Sequence, residues 1–140
     1  MNDVKIRYGR ADEAETVLAF WKAAAEGTDR HDSVAAYHAL VARDPEAVLL
    51  AELDGELVGT LIAGWDGWRA HLYRLAVHPD HRRKGIARAL IGFAEQRMRE
   101  FGAFRVDAMV LDDNHLAAPA WTAAGYHPQP EWSRWVKRLP

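Results

Sequence analysis

One continuous stretch, residues 70–96, constrains the fold of this 140-residue chain more strongly than any other part. Residues 72–77 are mostly apolar, which is typical of a strand buried on both faces, and Pro79 ends that run. From Lys84 onward, apolar residues recur at three- and four-residue spacing, with arginines on the opposite side. The stretch therefore predicts a strand, a turn and an amphipathic helix in direct succession.

The turn before the predicted helix is basic and contains small residues. Arg82, Arg83 and Lys84 precede Gly85, and Ala87 follows. Helix N-termini carry unpaired N–H groups and the positive end of the helix dipole, so an anion binds there when small side chains let it approach. The junction is therefore either a phosphate-binding site or an ordinary solvated helix start, and the local pattern alone leaves both open.

Spelled as R-x-x-G-x-A from Arg82 to Ala87, directly after a strand, the junction resembles the acyl-CoA signature of the GCN5-related N-acetyltransferases (GNAT). Downstream, N-x-x-A-x-x-x-W-x-x-x-G-Y from Asn114 to Tyr126 resembles the second motif of that family. Two motifs in the expected order and separation are more specific than either alone. The resemblance implies an acetyl-CoA-dependent N-acetyltransferase that transfers the acetyl group directly to a primary amine.

The resemblance also implies which residues contact acetyl-CoA, the co-substrate. In the family, the cofactor strand separates from the next core strand, the pantetheine arm lies in the gap, and the pyrophosphate lies on the loop before the helix. Carried over to this chain, the implied contacts are Leu75, Ala76, Val77, Arg82, Arg83, Lys84, Gly85, Ile86, Ala87, Arg88, Asn114 and Trp121. Asn114 is equally well interpreted as a plain helix cap.

His71 is the first candidate for the base that removes a proton from the amine. Amines are mostly protonated near neutral pH and have to lose a proton before they attack. His71 lies six residues before Val77, at a position where many family members place a catalytic glutamate, and Tyr73 shares its strand face by two-residue alternation. The alternative interpretation is a structural histidine near the start of a strand.

The acid that protonates the departing thiolate is less well specified. Many relatives have a tyrosine at the position of Trp121, and an indole is not a proton donor of suitable pKa. The candidates are then Tyr73, Tyr126 or water. Trp121 is expected to pack against the cofactor and to take no part in proton transfer. Because the motif tyrosine is missing, a non-catalytic acyl-CoA sensor or interaction module is the alternative from another class.

Three tryptophans and two carboxylates are the candidate contacts for the acceptor. Trp21, Trp65 and Trp68, with Asp29 and Asp66, suit a small cationic amine through cation–π and ionic contacts. The same set accommodates a peptide amine, so a protein or peptide N-α or lysine acetyltransferase is an alternative. The structural interpretations are a solvated loop around Asp29 and tryptophans that cover the core.

The order of predicted elements favours an α/β fold with a single GNAT-like domain over residues 1–140. The expected order is β-α-α-β-β-β-α-β-α-β, with about four helices around a twisted mixed, mostly antiparallel sheet of roughly six to seven strands. Asp54 and Gly55, between two β-rich runs, predict a hairpin. Residues 104–111 predict a core strand, and alternation in residues 132–139 predicts a closing strand.

Composition narrows the expected compartment and partners. The formal charge of −2 lacks the basic excess of a nucleic-acid binder, and the absence of cysteine excludes disulfides, thiolate metal sites and a cysteinyl acyl intermediate. The N-terminus has no secretory signal pattern, and the apolar runs are too short to span a membrane. We therefore expect a cytoplasmic monomer or homodimer that binds acetyl-CoA and an amine, without nucleic acid, membrane or metal.

Overall fold

A computed structural model describes residues 3–24 and 32–140. In these ranges the elements are β1 Lys5–Tyr8, α1 Ala14–Ala24, α2 Val34–Arg43, β2 Val48–Leu53, β3 Glu56–Trp65, β4 Ala70–Val77, α3 Ile86–Glu100, β5 Val106–Ala108 and α4 Ala118–Ala123. Short 3-10 turns precede α1 and follow β4. The order through α4 agrees with the expectation from the sequence. No helix within the described ranges has both the length and the apolar character needed to cross a bilayer.

The strands form one sheet in the order β1-β2-β3-β4-β5. The first three neighbouring pairs are antiparallel and the last pair is parallel, so the sheet is mixed and mostly antiparallel, as predicted. Asp54 and Gly55 join β2 to β3 with φ angles of 53° and 80°, the positive values that a tight two-residue hairpin favours. The hairpin prediction is confirmed.

Helices cover both faces of the sheet. On one face, Leu90 of α3 and Trp121 of α4 pack with Leu61 and Leu72 of the sheet. On the other face, α1 and α2 pack with the alternate strand residues, including Ile62. Burying a large aliphatic or aromatic side chain contributes about 1.5–3 kcal/mol, so these two layers stabilise the sheet from both faces. Ligand access is then left to the strand ends and edges.

The sheet has fewer strands than predicted, with five in the described residues against the expected six to seven. The prediction of a closing strand is wrong. Residues 132–139 form no strand, and Trp132 and Trp135 are 72% and 92% exposed. Alternation stabilises a strand only where one face becomes buried, and no face of this segment is buried. β5 is also shorter than the predicted residues 104–111, because Phe104 is exposed and pairing with β4 is limited to three residues.

Candidate active site

β4 and β5 separate after a short region of pairing. The pairing covers residues from Ala70 to Leu72 of β4, and a backbone hydrogen bond from the N–H of Met109 to the Leu72 carbonyl, 2.9 Å, follows it. Beyond this point, residues 73–77 pair only with β3 among the described strands. Their β5-facing backbone is therefore an open edge, to which an extended ligand can add like a strand. This opening is the gap that the family resemblance predicts.

α3 begins beyond the other end of this open edge, with an uncapped N-terminus. Gly85 precedes the helix with φ of 79°, in the left-handed region, and no side chain caps the helix. The N–H of Ala89 donates to the Gly85 carbonyl at 3.0 Å, so the N–H groups of residues 86–88 precede the first intrahelical bond. A Cβ built on Gly85 meets no atom within 4 Å, so the backbone there faces open space. This geometry suits a phosphate group.

Four cationic side chains surround the start of α3. Arg82 donates through its guanidinium to the carbonyl of Ala24 at the end of α1, 3.4 Å away. Arg83, Lys84 and Arg88 are exposed and form no ion pair with a carboxylate in the part of the chain that the structure describes. Their charges are therefore available to an anionic ligand.

His71 and Tyr73 lie at the closed end of the gap, where the pairing of β4 with β5 stops. Both side chains are half-buried, and strand alternation puts them on one face, where Tyr73 packs against the cluster beneath α1 and α2. Neither side chain makes a hydrogen bond to another described residue. Burial raises the pKa of Tyr73, so its phenol stays protonated near neutral pH. The structure thus brings the predicted base and one candidate acid together.

The second motif forms α4 and the turn before it. Asn114 Oδ1 accepts a hydrogen bond from the N–H of Ala117 at 3.0 Å, so this amide caps the turn. Trp121 is buried, and its ring meets Tyr126 edge-on with centroids 5.0 Å apart. The Tyr126 hydroxyl donates to Glu95 of α3 at 2.7 Å, and burial, followed by this bond, raises the pKa of Tyr126. The Tyr126 hydroxyl therefore already has a carboxylate partner.

Three of the predicted acceptor residues lie at the β3–β4 turn. Trp65 stacks on Phe101 with centroids 5.4 Å apart, and Trp68 is 83% exposed. The Asp66 carboxylate accepts two backbone N–H bonds of its own turn, and these bonds hold its pKa below the usual value. His71 makes a smaller contribution of the same sign. The turn therefore presents an ionised carboxylate and an exposed indole near His71.

The other two predicted acceptor residues are not at this turn. Trp21 lies in α1 and is buried, with the guanidinium of Arg74 5.4 Å from the centroid of its ring. Asp29 lies outside the described residues.

Thr60 of β3 and Arg74 of β4 were not predicted from the sequence, and both contact Trp21. Thr60 is buried in β3, and its hydroxyl accepts a hydrogen bond from Trp21 Nε1 at 2.8 Å and donates to the Arg74 carbonyl at 3.0 Å. Thr60 is the polar residue in the apolar run 58–63, which is a signal that the sequence carries. The sequence carries no such signal for Arg74, because its contacts depend on a backbone conformation with a positive φ of 60°.

These features fit an acyl-CoA. The open edge of residues 73–77 offers hydrogen-bonding groups to an extended amide chain. The uncapped, basic start of α3 offers partners to a pyrophosphate. The open edge comes first along residues 73–88 and the start of α3 comes second. A bound acyl-CoA would therefore have its acyl end near the open edge and its pyrophosphate near the helix start.

Comparison with known proteins agrees with this assignment. The model of the Acetyltransferase (GNAT) family matches residues 14–126. An acetyltransferase of Pectobacterium atrosepticum is 36% identical over 111 residues, covering 79% of this chain and 79% of the relative. An acetyltransferase of Sodalis glossinidius is 33% identical over 136 residues, covering 97% of this chain and 96% of the relative.

The fold is also that of solved acetyltransferase structures. The aminoglycoside N-acetyltransferase AAC(6')-Iy, solved in complex with CoA, superposes with a TM-score of 0.75 at 18% identity, over 99% of this chain and 97% of that protein. At this identity the likeness shows a shared α/β fold. Taken with the family match and the gap beside α3, it leads to one conclusion: the chain is an acetyltransferase of the GNAT family, whose members use acetyl-CoA as the acyl donor.

Proposed function

We propose that this acetyltransferase transfers the acetyl group of acetyl-CoA directly to a primary amine, and that the acceptor is a small cationic amine. One observation carries the proposal: the gap between β4 and β5 leads from the uncapped start of α3 to His71 and Tyr73. Because the chain has no cysteine, no thiol of its own is available to carry the acyl group between the two substrates. Transfer is therefore direct, with both substrates bound together.

In this proposal the chain holds acetyl-CoA at two places, and the bound co-substrate supplies a thioester carbonyl as the electrophile. The N–H groups at the start of α3 bind the pyrophosphate, because they are uncapped and next to cationic side chains. The open edge of β4 pairs with the pantetheine amides. The proposed contacts are Leu75, Ala76, Val77, Arg82, Arg83, Lys84, Gly85, Ile86, Ala87, Arg88 and Asn114, with Trp121 packed behind them.

His71 and Tyr73 divide the proton transfers. His71 removes one proton from the ammonium group, so that the neutral nitrogen can attack the thioester carbon and form the C–N bond. Tyr73 donates a proton to the sulfur as the C–S bond breaks, and the second proton that the nitrogen loses as the amide forms returns to Tyr73. Burial keeps the phenol of Tyr73 protonated, and its hydroxyl has no described protein partner. Tyr73 is therefore a better candidate for the acid than Tyr126, whose hydroxyl donates to Glu95.

The preference for a cationic acceptor rests on the β3–β4 turn. Asp66 remains ionised there, and Trp68 exposes an aromatic face that a cation can approach. Trp65 supports the turn by stacking on the end of α3. Trp21 contributes from α1, and Asp29 is included on the sequence pattern.

The test is a panel of acceptors with the purified full chain and acetyl-CoA, followed by thiol release and by mass spectrometry of the products. Small diamines and polyamines are expected to give kcat/KM values at least about tenfold above those of peptides with a free α-amine or a lysine. A higher kcat/KM for either peptide would show that the acceptor is a peptide amine and would overturn the proposed small-amine acceptor. Cofactor binding by calorimetry without CoA release from any acceptor would identify a sensor and overturn the enzyme mechanism.

A further inference from the structure

β4 contains a bulge at Arg74. Thr60 of β3 is opposite Ala76, and Ile62 is opposite Tyr73, so two residues of β4 face one residue of β3 between these pairs. Arg74 takes up the extra length with φ of 60°, a left-handed conformation that non-glycine residues seldom adopt. A residue held in this conformation requires surrounding contacts that impose it.

The contacts that hold the bulge run through one buried hydroxyl. Thr60 Oγ1 is both an acceptor, from Trp21 Nε1 at 2.8 Å, and a donor, to the Arg74 carbonyl at 3.0 Å. A carbonyl at a bulge loses its regular partner in the sheet ladder, and the Thr60 hydroxyl supplies a partner instead. The main chain of Arg74 is thereby connected to α1.

The side chain of Arg74 makes a second connection, to α2. Its guanidinium forms an ion pair with Asp32, which directly precedes Ser33, the N-cap of α2. The same guanidinium lies over the ring of Trp21 in α1. Arg74 therefore contacts both helices on this face of the sheet.

The bulge also adjoins the gap. It begins directly after Tyr73, one residue past the point at which β4 stops pairing with β5. The main chain of Arg74 thus borders the proposed acyl site, and its side chain reaches the helices on the same face as Tyr73.

We propose that Thr60 and Arg74 are positioning residues that connect the two substrate sites, an inference that rests on the acetyl transfer proposed above. The Thr60 hydroxyl holds the β4 backbone in the geometry needed beside the thioester. The Arg74 guanidinium holds the start of α2 and one face of Trp21, and so shapes the side from which the acceptor arrives. Thr60 therefore acts on the chemical step, and Arg74 acts on acceptor binding.

Two substitutions separate these roles. Arg74→Gly keeps a residue that tolerates positive φ but removes the guanidinium, so the acceptor KM is expected to rise about tenfold or more while acetyl-CoA affinity stays within about twofold. Thr60→Val removes only the hydroxyl, so kcat is expected to fall about tenfold or more with both KM values little changed. Thr60→Ser retains a hydroxyl and is expected to restore most of the lost kcat.

An unchanged acceptor KM in Arg74→Gly, or a Thr60→Ser variant as slow as Thr60→Val, would overturn the proposal. If Thr60→Val does not fold, Arg74→Gly still decides the question. Amide hydrogen exchange provides a readout that needs no turnover, because Ala36 and Tyr37 donate to Ser33 at the start of α2. These two amides are expected to exchange about tenfold faster in Arg74→Gly, and unchanged exchange would show that Arg74 does not hold α2. Should the wild-type chain acetylate no amine, the proposed function fails while this exchange result still stands.

Discussion

His71 combines three properties that a general base for an amine needs. It carries an imidazole, the side chain that most often serves as a general base, its own backbone is paired with β3 on one side and β5 on the other, and its side chain is half-buried on the same strand face as Tyr73. A base on a rigid strand keeps its distance from the reacting nitrogen better than one on a loop. The residue is therefore the first to test by substitution.

His71→Gln is expected to lower kcat by about a hundredfold or more and to leave acetyl-CoA affinity nearly unchanged, because it removes the base while keeping a side chain of similar size. Steady-state kinetics across neutral pH and calorimetry with CoA measure the two effects. His127→Gln is the matched control, since His127 is exposed and its ring bonds only to the neighbouring Pro128 carbonyl. Wild-type kcat in His71→Gln would place the base elsewhere, with Tyr73→Phe as the next variant.

At the scale of the element, the start of α3 depends on one glycine. The left-handed φ of Gly85 directs the chain into the helix without a side-chain cap, which leaves the first N–H groups free for a ligand. α3 ends with the same conformation, since Gly102 has φ of 88° and open space around a built Cβ. The two ends of one helix thus provide equivalent backbone positions, of which one lies at the proposed phosphate site.

Gly85→Val is expected to weaken CoA binding by about tenfold or more, because a branched side chain at positive φ strains the loop and projects into the space that a phosphate needs. Gly102→Val is the control: it imposes similar backbone strain at the far end of α3 and is expected to leave the Kd for CoA unchanged. Calorimetric titration of both folded variants gives the comparison. Equal affinities in the two variants would refute the assigned phosphate loop.

At the scale of the whole molecule, Arg7 connects the first strand to two other parts of the fold. Its Nη2 lies 2.6 Å from Glu13 in the turn before α1, and its Nε lies 2.5 Å from Glu52 in β2. The bond from Arg7 holds the pKa of Glu13 at about 2, below its ordinary 4.5. Because the folded-state pKa is the lower one, ionised Glu13 stabilises the fold above about pH 4.5, and this contribution is lost as the pH falls toward about 2.

Glu13→Gln is therefore expected to lower the free energy of unfolding at pH 7 by on the order of 1–2 kcal/mol and to make the acid-induced loss of stability shallower. Urea unfolding at neutral and acidic pH measures both quantities. Glu15→Gln changes an exposed carboxylate two residues along and is the control. If the free energy of unfolding of Glu13→Gln falls as steeply with decreasing pH as that of the wild type, Glu13 is not the source of the acid-dependent stability.

The elements that form the proposed acetyl-CoA site were determined almost entirely by local sequence. Residues 70–96 specify strand, turn and helix because each element is encoded by contiguous periodicity and by small residues at the junction, and Asp54-Gly55 specifies its hairpin in the same way. The order of elements through α4 followed from the same signals. Alternation was not sufficient for residues 132–139, because a strand also needs a face to bury and a neighbour with which to pair.

The contacts proposed to shape the acceptor site were decided by tertiary structure. Trp21 and Thr60 are 39 residues apart in sequence, and Arg74 and Asp32 are 42 apart, so no local pattern records their contacts. The bulge that brings Arg74 between them arises from a register shift between β3 and β4, which depends on how the two strands pack and not on either strand alone. Contiguous residues are coupled by backbone geometry, whereas these four residues meet only after the sheet and both helices have packed.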